Sequence, residues 1–251
     1  LNPACIFLFC DWYLPGYKAG GPIQACHNIV ETLKDRHQFF IFTADRDLGD
    51  SRPYAGLPTD QWVPADPHVK IWYASPSFAT KKNLWKLLRE VRPDIIYFNS
   101  MYSYKFTLLP LWLLLSTHYC GKIILAPRGM LHSGALQQKM FKKNIFLRVF
   151  KLSGWHKRIH FQATDDQELK DILFYFGKKA RVSVVSDIPN LYDKPWQGIE
   201  KVAGELKCIF ISRIDEKKNL HFFLERLKAL NHAMRISLDI FGAEDSAAYA
   251  V

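Results

Sequence analysis

The stretch ACIFLFCDWYLPGYKAGGPIQACHNIVETL, residues 4–33, decides how the chain folds. Residues 4–10 form a short unbroken apolar run, as a strand buried on both faces of a parallel sheet requires. Beyond it, Ile23, Cys26, His27, Val30 and Leu33 recur at three- and four-residue spacing and mark one apolar face of a helix. Pro22 suits the first turn of that helix, where its missing N–H costs little, and Gly20 and Gly21 leave the backbone bare in front of it. A helix start offers free N–H groups and the positive end of the peptide dipoles, so this junction is a candidate anion site.

Working outward, apolar runs recur at 38–43, 69–73, 94–98, 122–126, 158–162 and 181–185, and helical patterns at 81–91, 103–119, 135–152 and 165–176 separate most of them. That alternation predicts an α/β fold, a parallel sheet with helices on both faces. Asp165, followed three residues later by Glu168, is a capping-box pattern, and Gly177 ends the same helix. Residues 45–67 turn to Pro, Gly and Asp and read as a long surface loop. Two prolines and two glycines within 186–204 break the rhythm, which predicts a first domain over 1–187 and a linker over 188–204. A strand at 206–212, a helix at 217–230 and a strand at 235–241 then open an incomplete second domain over 205–251.

The five cysteines, at 5, 10, 26, 120 and 208, have neither paired spacing nor a metal-ligand pattern, which fits a reduced, cytoplasmic setting. The Leu-rich stretch from Thr107 is interrupted by Pro110 and is too short to span a bilayer, so it reads as a buried helix. The formal net charge is +10, and it is unevenly placed: residues 121–160 carry nine Lys or Arg and no Asp or Glu. Such a field attracts an anionic partner, a phosphate-bearing ligand or the surface of an anionic membrane. Nucleic acid is not expected, because aromatic and basic residues are not interleaved as on a stacking platform. A dinucleotide oxidoreductase is disfavoured as well, since GYKAGG lacks the spacing of G-x-G-x-x-G.

A second candidate anion site lies in FISRIDEKKNL, residues 210–220, where Arg213 and Lys218 flank a loop between strand and helix. Arg supplies a rigid fork for phosphate and Lys a mobile point charge. Asp45 and Asp47 form a D-x-D pattern, but two carboxylates in an acidic turn with Arg46 between them are an ordinary turn feature, and no metal is assigned.

The ordered segments YLPGYKAGGPIQ, PDIIYFNSMYS, ILAPRGML, FQATDDQE, VVSDIPN and FISRIDEKKNL resemble the retaining glycosyltransferases of family 4, over nearly the whole chain. The resemblance implies a GT-B architecture of two Rossmann-like domains, here the N-terminal domain and the start of the C-terminal one. It implies transfer of a sugar from a UDP- or GDP-sugar to a glycan or lipid-linked acceptor with retention, in polysaccharide or cell-surface glycan biosynthesis. No cofactor is implied. Carried over position by position, Gly20, Gly21, Arg213 and Lys218 are donor-binding candidates, and Tyr17, Lys18, Asn99, Tyr102 and Arg128 are acceptor-side candidates. Tyr102, with Tyr104 and Phe106, begins a helix, where aromatic residues more often belong to the core than to a cleft.

The chain departs from the family at Asn99 and Arg128, where many members have His, and at Leu191, where Gly is usual. Asn99 and Arg128 suit hydroxyls or phosphate better than proton transfer. The family's paired glutamates have no counterpart before Val251, so no catalytic residue is assigned and the 251-residue chain is expected to be inactive by itself. The competing expectation is a non-catalytic glycan- or anion-binding domain derived from such an enzyme.

Overall fold

The computed structural model describes residues 2–117, 119–132, 140–190, 198, 200, 202–212, 214, 218–230 and 235–242, with the backbone alone at 140 and 142. The chain divides into two compact units, Leu1–Leu191 and Tyr192–Val251.

In the first unit the order is β1 (Cys5–Phe9), α1 (Gly21–Leu33), β2 (Gln38–Ala44), β3 (Trp62–Asp66), β4 (Val69–Ala74), α2 (Lys81–Val91) and β5 (Ile95–Phe98). A π-helical turn (Tyr104–Leu108), α3 (Leu109–Ser116), β6 (Lys122–Leu125), α4 (Met140–Leu152), β7 (His160–Ala163), α5 (Asp166–Phe176) and β8 (Arg181–Val184) follow. The strands form one sheet in the order β3-β4-β2-β1-β5-β6-β7-β8, parallel except for the β3–β4 pair. This is a Rossmann-like α/β fold, as the alternation of apolar runs predicts.

β1 is central, so both of its faces are covered. Phe7 and Phe9 point into the core beneath α2, α3, α4 and α5, whereas Ile6, Leu8 and Cys10 pack with Cys26 and Val30 of α1. Phe9 anchors the larger core: its ring lies 5.1 Å from Phe98, 5.6 Å from Phe42 and 4.7 Å from Phe7, centroid to centroid. Five leucines of α3 are buried together with Pro110, as a helix apolar on every side must be.

Two readings of the sequence need correction. The stretch 45–67 is not all loop, because Trp62–Asp66 pairs antiparallel with β4 as an edge strand. Pro64 hides it, and the register shifts between Pro64 and Asp66, at the sheet edge where proline is tolerated. The stretch 103–119 is not one helix. Ser103 caps a π-helical turn by accepting from the Phe106 N–H, and the α-helix begins only at Leu109.

The second unit contains β9 (Glu205–Ile211), α6 (Leu220–Lys228) and β10 (Arg235–Phe241), the two strands running parallel in a seven-pair register. Among the described residues no helix is long and apolar enough to cross a membrane.

Phe9→Ala is expected to lower stability by about 3–5 kcal/mol, because it opens a cavity where four rings meet. Urea denaturation followed by fluorescence measures the loss, and a change below about 1 kcal/mol would refute the central place given to this ring.

Candidate functional site

The strand order reverses between β1 and β5: the chain proceeds from β1 toward β4 on one side and from β5 toward β8 on the other. In an open parallel sheet the crevice beyond the strand ends at such a switch point is where ligands bind. Residues following β1, β5, β6, β7 and β8 meet there.

The turn after β1 is held by its neighbours. A Cβ on Gly16 would lie 2.3 Å from the Tyr54 hydroxyl and 2.9 Å from the Tyr13 carbonyl oxygen, so only glycine fits. The Tyr73 hydroxyl donates to the Leu14 carbonyl at 2.8 Å. Asp47 accepts from the backbone N–H groups of Tyr17 (2.8 Å) and Lys18 (3.1 Å) through one oxygen, and from Leu48 (2.8 Å) through the other. Burial works to raise the Asp47 pKa, but these N–H groups outweigh it and hold the carboxyl below its ordinary value. Asp45 pairs with Arg46 at 2.7 Å. Both members of the D-x-D pattern therefore have protein partners, and among the described residues no group of three His, Cys, Asp or Glu is placed to hold a metal ion.

Gly20 adopts φ 65° and ψ −122°, a region open to glycine alone. α1 then begins with no side-chain cap and no acidic residue in its first turn. A Cβ at Gly20 or Gly21 would meet nothing within 4 Å, so the helix start faces open space. A cavity of about 320 Å³ lies there, with Gly21, Pro22 and Ala25 on one side and Arg128, Gly129, Thr164 and Asp187 on the other.

Arg128 organises the far wall. Its side chain is 7% exposed, and each nitrogen of its fork has a partner: Nε donates to Asn99 Oδ1 (2.8 Å), Nη2 to the Tyr97 hydroxyl (2.9 Å), and Nη1 pairs with Asp187. Burial opposes the charge, but Tyr97 and Asp187 more than compensate and raise the pKa above the usual arginine value. Tyr97 passes the connection to Gln162 Oε1 (2.9 Å), whose Nε2 donates to the Val185 carbonyl (3.0 Å). Asn99 Nδ2 closes the ring by donating to the Pro22 carbonyl at 3.1 Å, which fixes the α1 start against the end of β5.

The backbone at Arg128 is left-handed (φ 55°), as is that of Gly129 (φ 70°). For a non-glycine residue this costs about 1–2 kcal/mol. The fully buried Glu168 carboxylate offsets it by accepting from the Gly129 N–H (2.7 Å), and also from the Thr164 N–H (2.7 Å) and hydroxyl (2.8 Å). The Glu168 N–H in turn is capped by Asp165 Oδ1 at 2.7 Å. Only half of the predicted capping box forms, because the Glu168 side chain turns toward the cleft wall.

Of the residues singled out in the sequence, Gly20, Gly21, Asn99 and Arg128 are brought together here. Tyr17 and Lys18 sit on the same glycine turn, Tyr17 exposed and Lys18 paired with Asp50 at 2.5 Å. Tyr102 does not line this cavity. Its ring packs on Phe146 at 5.5 Å and beneath Lys143 Nζ at 5.4 Å, and its hydroxyl is buried without a hydrogen-bond partner, the core alternative that the sequence left open. Lys218 is exposed just before α6 in the second unit. Arg213 lies outside the described residues, as does Leu191. Sequence reasoning missed Tyr97, Gln162, Glu168 and Asp187 as parts of the site. Tyr97 and Gln162 carried the signal of a polar side chain within a strand, whereas Glu168 lies in the first turn of α5, where its capping-box position suggested another role, and Asp187 follows the mostly exposed β8.

The sequence matches no family model and no curated protein. Among solved structures the chain is similar to an α,α-trehalose-phosphate synthase (UDP-forming) from Burkholderia vietnamiensis, with TM-score 0.52 and 11% identity over 98% of this chain and 65% of that one. It also matches a dTDP-glucose 4,6-dehydratase from Bacillus anthracis in complex with NAD, with TM-score 0.37 and 11% identity over 63% of this chain and 53% of that one, a score too low to support an argument. The chain thus spans less than two thirds of either protein's length. The likeness to the synthase is one of fold alone, in keeping with the Rossmann-like α/β architecture.

Asp47→Ala is expected to destabilise the protein by about 1–3 kcal/mol at neutral pH, by leaving the turn's N–H groups without their acceptor. Because the folded pKa is depressed, this contribution is complete above the unfolded value of about 4 and fades as pH falls through the folded one. Denaturation curves across pH should show wild type and variant converging only in acid. A gap that widens in acid would refute the assignment.

Proposed function

We propose that the protein is a glycosyltransferase that takes a sugar from a nucleotide-sugar donor, a UDP- or GDP-sugar, and passes it to a glycan or lipid-linked acceptor with retention of configuration. Polysaccharide or cell-surface glycan biosynthesis in the cytoplasm is the setting this reading implies. The observation that carries it is the open start of α1: Gly20 and Gly21 expose an uncapped helix N-terminus to a cavity at the switch point, with a charged guanidinium in the opposite wall. Departure of a diphosphate is the electrostatic problem of such a transfer, and preorganised N–H dipoles and cations meet it.

In this reading Gly20 and Gly21 make room for the donor, and Arg213 and Lys218 hold its diphosphate. Tyr17, Lys18 and Asn99 border the acceptor. Arg128 acts on the acceptor side by positioning Asn99, since each of its nitrogens already has a protein partner. Tyr102 is given no contact with substrate. The domain boundaries of this proposal remain 1–187 and 205–251 with the linker between, close to the division of the chain at Leu191.

Thermal melting with a panel of sugar nucleotides tests the reading. A donor at about one hundred times its Kd should raise Tm by about 5–10 °C. Gly21→Ala introduces a methyl group that touches nothing in the protein. It should therefore not lower the unliganded Tm, and it should weaken donor binding about tenfold or more, by filling the space the donor needs. If no nucleotide or sugar nucleotide shifts Tm, the transferase reading fails and a non-catalytic binding domain replaces it.

A further inference from the structure

We infer that the solvent face of α4 is a docking surface for an anionic lipid bilayer, into whose interface it inserts apolar side chains. The observation is an apolar stripe on the wrong side of a helix. Leu147 and Phe150 face the core, as the packing of α4 requires. On the opposite side Phe141 is 78% exposed, Ile145 45%, Val149 58% and Leu152 87%. At about 100° per residue these four fall within an arc of about 80°, one stripe along the length of the helix. From α5 beside it Phe174, 77% exposed, adds to the patch.

A helix apolar on both sides is normally buried on both sides. Single exposed hydrophobic side chains need no explanation, but a contiguous patch of large ones marks a surface that something covers. The charges around it say what. Arg148 lies about 20° outside one edge of the stripe and Lys151 about 80° outside it, both exposed, and the 121–160 segment that contains α4 holds nine basic residues and no acidic one. Arg148 and Lys151 also line a groove of about 410 Å³ with Phe174 and Tyr175. Exposed apolar side chains flanked by Arg148 and Lys151 on a helix that carries no carboxylate match the boundary between phosphate headgroups and acyl chains. A second copy of the chain is a poorer occupant, because it would set two cationic surfaces face to face. The helix has 13 residues, which fits lying in the interface and not crossing it. The earlier expectation of membrane contact rested on charge alone; the stripe adds an insertion term that salt does not screen.

Cosedimentation of the protein with phosphatidylglycerol/phosphatidylcholine vesicles, and with phosphatidylcholine vesicles alone, tests this. Binding to the anionic vesicles should be at least about tenfold stronger. The double variant Phe141→Ser/Leu152→Ser, and separately Arg148→Gln/Lys151→Gln, should each weaken it about tenfold or more without changing Tm, since these side chains are exposed. The serine variant should abolish the fraction of binding that survives high salt. Absence of binding to anionic vesicles at low salt overturns the proposal, and so does undiminished binding by the serine variant. A dimer that the serine substitutions dissociate while vesicle binding persists would reassign the patch to self-association. Nucleotide-induced shifts in Tm are a separate readout: vesicle binding without them sinks the transferase reading alone, and the reverse sinks only this one.

Discussion

The Arg128 guanidinium is the constraint on which the cleft depends. Arg128 stands just past β6 and reaches side chains on β5 and just past β5 and β8: Tyr97, Asn99 and Asp187. Parallel strands are fixed laterally by their ladders, but the loops after them are not, and a planar fork with five donors can fix several at once. Because the group is nearly buried, each of its partners is obligatory; removing one leaves a desolvated charge, and breaking a buried pair costs about 3–5 kcal/mol where both members are shielded. Asp187 is half exposed, so its share is smaller than that of the inward-facing partners. The left-handed backbone at Arg128 is the local cost of this arrangement, and the hydrogen bond from Gly129 to Glu168 offsets it.

That frame explains why the start of α1 can stay open. A helix whose first N–H groups lack a cap is less stable by about 1 kcal/mol than a capped one. Here the deficit is tolerated because the entry to the helix is fixed from outside. Asn99 holds the Pro22 carbonyl, Asp47 holds the turn before it, and Gly16 packs against Tyr54 too closely for any side chain. Pro22 has no N–H, and the Ile23 and Gln24 N–H groups donate to the Gly20 carbonyl, so it is the Gly21 N–H, with the dipole end behind it, that the scaffold leaves to solvent or ligand, which is what preorganisation means in physical terms.

Much of the fold was legible because it is written in local periodicity. The unbroken apolar run of β1, the glycines and Pro22, the three-and-four spacing of α1 and the Asp165 cap each depend on residues only a few positions apart. The edge strand β3 was not legible, since Pro64 argues against a strand and its partner β4 lies beyond a turn. Nor was the π-helical turn at 104–108, because an apolar stretch has the same composition whether its first turn closes i→i+4 or i→i+5. The candidate site was half legible. Gly20 and Gly21 announced themselves by residue type, whereas the work of Arg128 is defined by partners as far away in sequence as Asp187, and no spacing rule encodes that.

The same contrast separates the two faces of the sheet. Phe161 and Ala163 of β7 point into the core under α4 and α5 and are fully buried, while His160 and Gln162 point the other way, and His160 finds its partner in Ser183 of β8. β1, covered on both faces, is apolar at every position; β7, farther out, alternates. Polar side chains on this second face are therefore not defects. They are what allows Tyr97 and Gln162 to place a phenol and an amide inside an otherwise apolar strand layer, where a sheet buried equally on both faces would have left them unsatisfied. Tyr97 and the Arg128 side chain are each 7% exposed, so the network carries polar groups into a buried layer, and it can do so because each of them is matched there by another polar group.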